Sequence, residues 1–237
     1  MYSSKRVRSY KDRKAMSGRR VRRIVVIIFL FLLYQFFSIY ISTPLTIRSR
    51  SMEPLLMPSD RILFSRVSLQ TMTMFDRGDL VVIQPPFYRK NQTFIELMNP
   101  FLRFFTFQKI QMSSYNRPAW EIPYMVKRIV ALPGDSIRIE NFKAFITQGG
   151  KRSEVHEYDL IKGNYTINHP YLPEGWTKGY PFDGDMEEIR LGENEFFILS
   201  DSRGMGNDSL LWGALKEEYI LGKVFFRYFP FRRMSSF

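Results

Sequence analysis

The sequence predicts a mainly β body behind a single N-terminal transmembrane helix. Three observations predict it. Short runs that alternate apolar and polar residues recur along the body, separated by turns bearing Gly, Pro and Asp. One uncharged apolar run, residues 24–41, follows a cationic flank near the N-terminus. A polar, turn-rich stretch within residues 141–192 reads as an inserted β-rich subdomain.

Charge separates tail from body. The formal net charge is +12. Residues 1–23 hold ten Lys/Arg and one Asp, giving +9, whereas residues 44–237 hold 25 basic and 22 acidic side chains, giving +3. A basic tail alone suits nucleic acid or anionic lipid. Its place beside the apolar run selects membrane lipid and speaks against nucleic acid as a partner. There is no cysteine, which excludes disulfides and thiolate metal sites. His156 and His169 lie in no metal-ligand spacing.

The elements follow in order. Residues 1–23 read as a cytoplasmic tail. Residues 24–41, as a helix rising about 1.5 Å per residue, span roughly 27 Å, close to a hydrocarbon core. A cleaved secretory signal is the rival, but the run is long for one and Thr43-Pro44 offers no small-x-small cleavage pattern. Pro44 stops the helix, and residues 44–237 form the extracytoplasmic domain. Leu45–Arg48 is a short strand leading to Ser49-Arg50-Ser51-Met52, so Ser51 lies close to the outer membrane surface. Asp60–Val67 alternates as a strand, Arg77-Gly78-Asp79 turns, and Leu80–Ile83 is a buried strand ended by Pro85-Pro86.

Residues 87–123 form a first insertion. Its piece Thr93–Ile110 is rich in Phe and Leu and is divided by Pro100. Two readings stand: a pair of core-packing helices, or an apolar surface resting on the bilayer. Strand patterning returns at Met125–Ala131, turns at Pro133-Gly134-Asp135 and resumes at Ser136–Glu140. After the second insertion, Glu195–Leu199 is a buried strand that delivers Ser200 to Arg203 into a loop. Tyr219–Phe229 is the last strand, followed by a tail with Arg232 and Arg233. The sequons at Asn91, Asn164 and Asn207 arise often by chance and carry no weight.

Three stretches carry chemistry. The first is Ser51-Met52-Glu53-Pro54. The second is Tyr124 to Asp135, where Lys127 sits inside an apolar strand. The third runs from Leu199-Ser200-Asp201-Ser202-Arg203 to Asp208-Ser209, followed by Trp212-Gly213. In this order they resemble the type I signal peptidases, membrane-anchored serine proteases with a Ser–Lys dyad. The resemblance covers roughly residues 20 to 225, and its informative part is these three boxes.

Amide hydrolysis needs a nucleophile, a base and a stabiliser of the oxyanion. The resemblance makes Ser51 the nucleophile and Lys127 the base. A solvated lysine, with a pKa of about 10.4, is protonated and useless as a base. Burial beside Met125, Val126, Ile129 and Val130 is expected to lower it. Arg128 points to the opposite strand face and could pair with Asp201 or Asp208, leaving Lys127 unpaired.

The resemblance further implies an oxyanion hole made by the Ser51 N–H and the Ser49 hydroxyl. It implies a loop fixed by Pro54, and a Met52 that either lines the substrate groove or fills core. No metal or organic cofactor is implied. The partners are signal-peptide-bearing preproteins, with small residues, especially Ala, one and three positions before the cut. The place of action is the outer face of the cytoplasmic membrane.

The third box departs from the family pattern. Gly-Asp-Asn-Arg becomes Ser200-Asp201-Ser202-Arg203, the usual lysine-orienting serine is Gly206, and the expected arginine is Leu210. Ser202 and Ser209 are candidates to compensate. Asp201, Arg203 and Asp208 are expected to form an ion-pair network bracing the loop against the lysine strand. Two rival functions remain: a catalytically impaired binding protein on the same scaffold, and a tethered lipid or nucleic-acid binder that would leave the Ser and Lys boxes unexplained.

Overall fold

The computed structural model describes residues 21–34, 42–66, 75–88, 124–161, 166–170, 184–204 and 206–237. The chain divides into two units, Met1–Ile39 with Thr93–Met112, and Tyr40–Gln92 with Ser113–Phe237. Of the first unit, the described part is helix α1, residues 21–34, whose apolar side chains from Ile24 to Leu30 are exposed. Among the described residues no helix is long and apolar enough to cross a membrane. Residues 35–41 of the expected span lie outside the described residues, as does the aromatic segment 94–107.

The second unit is mainly β. Strands β1 (Thr43–Thr46), β2 (Arg61–Arg66), β3 (Leu80–Ile83) and β4 (Met125–Ala131) belong to its larger sheet. So do β9 (Glu195–Leu199), β10 (Leu215–Lys216), β11 (Ile220–Phe229) and β12 (Ser235–Ser236). The strand order is β1-β2-β11-β3-β4-β9-β10, with β12 paired to β11. The smaller sheet holds β5 (Ser136–Glu140), β6 (Lys143–Thr147), β7 (Glu154–His156) and β8 (Met186–Arg190), in the order β7-β6-β5-β8. Short helices α2 (Glu157–Leu160) and α3 (Ser209–Trp212) complete the described elements that concern the site.

The strand patterns have visible causes. Leu80 and Val82 pack with Met52, Leu56, Ile62, Phe64, Val126 and Val224, while Val81 and Ile83 pack with Ile129, Phe196, Ile198, Leu215 and Ile220. β3 is therefore buried on both faces, which is why it reads as an unbroken apolar run. β9 does the same: Phe196 and Ile198 face one cluster, and Phe197 and Leu199 join Val130, Ile137 and Ile146 in another.

The first strand begins two residues earlier than its sequence pattern suggests and contains Pro44, opposite Leu63. β1 is an edge strand, so a missing N–H costs no ladder bond on its open side. The basic C-terminal tail also differs from expectation. It turns at Phe231–Arg233 and returns to pair Ser235 with Arg227 of β11.

Candidate active site

The loop bearing Ser51 is closed at its base. Ile47 N donates to Asp60 O and Ser59 N to Ile47 O, each at 2.8 Å. Inside it, Glu53 N donates to Arg50 O and Leu56 N to Met52 O, while Met52 and Leu56 are sunk in the core. Met52 is thus core filling, one of its two expected readings. The C-terminal segment clamps the same loop. Arg227 and Arg233 both donate to Leu55 O and both reach the buried Asp60 carboxylate. Arg233 also reaches Pro54 O at 3.5 Å. These contacts fix the loop after Ser51.

Ser51 is 6% exposed. Its N–H donates to Ser49 Oγ at 3.1 Å. The two groups expected to hold the oxyanion therefore meet each other, and the Ser51 N–H is engaged by the Ser49 oxygen. Ser51 O accepts from Ser202 N at 2.9 Å, which ties the Ser51 loop to the loop after β9.

Lys127, on β4, is 2% exposed. Burial pushes its amine down from 10.5 to about 8, against the pull of Asp208 and Asp201 and with a smaller push from Arg203. Nζ donates to Ser200 Oγ at 2.7 Å. Among the described residues it forms no ion pair, and no hydrogen bond joins it to Ser51. The strand register explains the partner. β4 and β9 run antiparallel with Arg128 opposite Leu199 and Ile129 opposite Ile198. One step further along places Ser200 opposite Lys127, with both side chains on the same face.

Ser200 is itself held. Its Oγ donates to Asp208 Oδ2 at 2.6 Å and its N–H to the same oxygen at 2.9 Å. Asp208 also accepts from Leu210 N and caps α3. Neither serine named as a compensating candidate takes the amine. Ser209 Oγ accepts from Ile198 N, and Ser202 touches the Ser51 loop through its backbone. Leu210, in place of the expected arginine, packs against the cluster of Val130, Phe197 and Leu199.

The expected ion-pair network is split. Arg128 forms a two-pronged pair with Asp201, Nε to Oδ1 at 2.8 Å and Nη2 to Oδ2 at 2.6 Å, and its Nη1 donates to Gly78 O. That pair joins β4 to the loop after β9. Arg203 reaches the other way, to Glu157 of α2 at 2.6 Å, with both side chains 0% exposed. Glu157 Oε1 also accepts from Ala144 N on β6, so the smaller sheet is fastened to the site loop. Asp208 forms no ion pair among the described residues; it serves Ser200 and the helix cap instead. Sequence reasoning missed Ser200, Glu157, Asp60 and Arg227. The available signal was weak: Ser200 stood out only as a serine where the resembled pattern has glycine, and Glu157, Asp60 and Arg227 are charged residues whose partners only the tertiary structure sets.

A buried amine below its usual range, a buried Ser51 and two candidate oxyanion donors suit acyl transfer to a serine hydroxyl. Residues 20–229 match the family described as "Signal peptidase, peptidase S26". The chain is 26% identical over 213 residues to the probable signal peptidase I-1 of Synechocystis sp. (strain ATCC 27184 / PCC 6803 / Kazusa), over 90% of this chain and 83% of that one. It is 24% identical over 196 residues to signal peptidase IB of Staphylococcus aureus (strain COL), over 81% and 80%. A crystal structure of a signal peptidase I from Enterococcus faecalis V583 aligns at 16% identity with a TM-score of 0.34, covering 65% of this chain and 98% of that one.

Proposed function

The chain belongs to the signal peptidase family, peptidase S26, and on that premise we propose that Ser51 is its nucleophile and Lys127 its general base. The enzyme is a serine endopeptidase, and its reaction is signal-peptide cleavage. The observation that carries the assignment is the Lys127 amine: buried, bonded to a hydroxyl rather than a carboxylate, and lowered to about 8. At pH 8 roughly half of such amines are neutral, against well under one in a hundred for a solvated lysine.

As Ser51 Oγ bonds to the scissile carbonyl carbon, its proton passes to Lys127 Nζ. The Ser51–Lys127 contact closes when substrate enters, as catalytic contacts often tighten on binding. The carbonyl oxygen, now negative, takes the Ser51 N–H from Ser49 Oγ, and the Ser49 hydroxyl turns its own proton toward it. Lys127 then gives its proton to the leaving amine nitrogen, the C–N bond breaks, and an ester to Ser51 remains. Lys127 next takes a proton from water as its oxygen attacks the ester carbon, then gives that proton to Ser51 Oγ as the ester C–O bond breaks, and the cleaved chain leaves as a carboxylate with Ser51 restored.

The preprotein is cut after small residues at the outer face of the cytoplasmic membrane. The apolar α1 and the cationic residues before it support anchoring there with the tail inside. The Ser200 contact supports a working enzyme over an impaired binder, because the amine is held although residue 206 is glycine. The test is preprotein cleavage by the full-length chain. Ser51→Ala and Lys127→Ala should each abolish turnover, and the double variant should lose little more, since the two act as one unit. Normal turnover in either single variant sinks the assignment.

A further inference from the structure

We propose that Ser200 is the positioning residue for the Lys127 amine, and that it can serve because residue 206 is glycine. The proposal rests on the reading of Lys127 as the base. A serine hydroxyl has one proton. Ser200 gives that proton to Asp208 Oδ2 at 2.6 Å, so toward Lys127 Nζ, 2.7 Å away, its oxygen can only accept. The amine must therefore use one N–H on Ser200, and the orientation of its remaining positions follows. The hydroxyl cannot turn freely. Ser200 N–H is bonded to the same Asp208 oxygen, and Ser209 Oγ ties the start of α3 back to Ile198 N on β9.

Residue 206 supplies the space. A Cβ built on Gly206 would lie 2.1 Å from Ser200 Oγ and 2.7 Å from Lys127 Nζ, closer than real carbon atoms approach. A side chain at 206 and a hydroxyl at 200 compete for one volume beside the amine. That volume can be filled from either position and not from both. The serine that the resemblance expects at 206 is here delivered from the end of β9, six residues earlier. Sequence order hides the exchange, because both residues sit in the same loop and only their side-chain volumes meet.

The test uses the full-length chain in detergent micelles, a signal-peptide-bearing preprotein, and kcat, KM and thermal unfolding for each variant. Ser200→Ala should lower kcat about 100-fold with KM within about twofold, the signature of a displaced base rather than lost substrate binding. Its melting temperature should stay near that of the parent. Gly206→Ser should lower kcat at least as far, because the new Cβ evicts the Ser200 hydroxyl. Joining Ser200→Gly to Gly206→Ser should return kcat to within about tenfold of the parent, a non-additivity expected only of side chains that share a site.

A merely structural role for Ser200 would not be rescued by moving the hydroxyl six residues along the chain. The pH profile gives a second readout. Ser200→Ala removes an acceptor that favours the ammonium, while Asp208, Asp201 and Arg203 still face it, so the acid limb of kcat should move to lower pH. An unchanged kcat in Ser200→Ala overturns the proposal, and so does a double variant no faster than the slower single. Lys127→Ala, assayed alongside, separates two failures. Inactive Lys127→Ala with fully active Ser200→Ala removes only the positioning role, whereas turnover by Lys127→Ala removes the base reading beneath it.

Discussion

Replacing Lys127 with methionine should abolish cleavage and make the protein more stable at neutral pH. The side chains have similar length, so packing is largely kept while the charge is lost. Folding lowers the lysine from 10.5 to about 8. Below pH 8 the amine is charged in both states, and the folded chain bears the full cost of burying it. Above 10.5 it is neutral in both, and that cost is gone. At about 1.4 kcal/mol per unit, the shift is worth about 3 kcal/mol. Losing the bond to Ser200 takes back about 1 kcal/mol, which leaves the variant ahead by about 2 kcal/mol at pH 7. The advantage should shrink by about 1.4 kcal/mol per pH unit above pH 8, or about 2 kcal/mol by pH 9.5. Urea unfolding of both full-length proteins in the same detergent, from pH 6.5 to 9.5, measures the difference. A variant less stable at neutral pH, or a gap that ignores pH, would refute the argument. Either result would mean that the native amine is effectively paired or hydrated.

Two further expectations follow from the same contacts. If Ser49 is the oxyanion donor proposed for it, Ser49→Ala removes that donor and frees the Ser51 N–H, so kcat should fall about 100- to 1000-fold with KM little changed; a rise in KM at constant kcat would make Ser49 a substrate-positioning residue instead. Glu157→Ala leaves Arg203 charged and buried, which should cost about 3–5 kcal/mol in urea unfolding, while the pair Glu157→Leu with Arg203→Met should recover most of it; a cost below about 1 kcal/mol would mean that the buried pair does not hold the site loop.

The sequence by itself marked strands β2, β3, β4, β5, β9 and β11 and singled out Ser51 and Lys127. Alternation marks β5, an unbroken apolar run marks β3, and Lys127 with Arg128 stands out as a charged pair inside the otherwise apolar β4. These signals are local: a period of two or a stop at Pro reports the backbone within a few residues. Only the tertiary structure decided what surrounds the Lys127 amine and the Ser51 loop. Ser200 lies 73 residues from Lys127, Arg203 lies 46 from Glu157, and Arg233 lies 178 from Leu55. None of these pairs has a periodicity to announce it. Ser200 meets the amine because β4 and β9 pair in one register and Gly206 leaves the volume open. A register shifted by one residue would keep the same alternation along each strand and put a different side chain beside Lys127. Strand pairing is set by the summed burial of both faces of β3 and β9, a property of the packed sheet that no single segment of the chain contains.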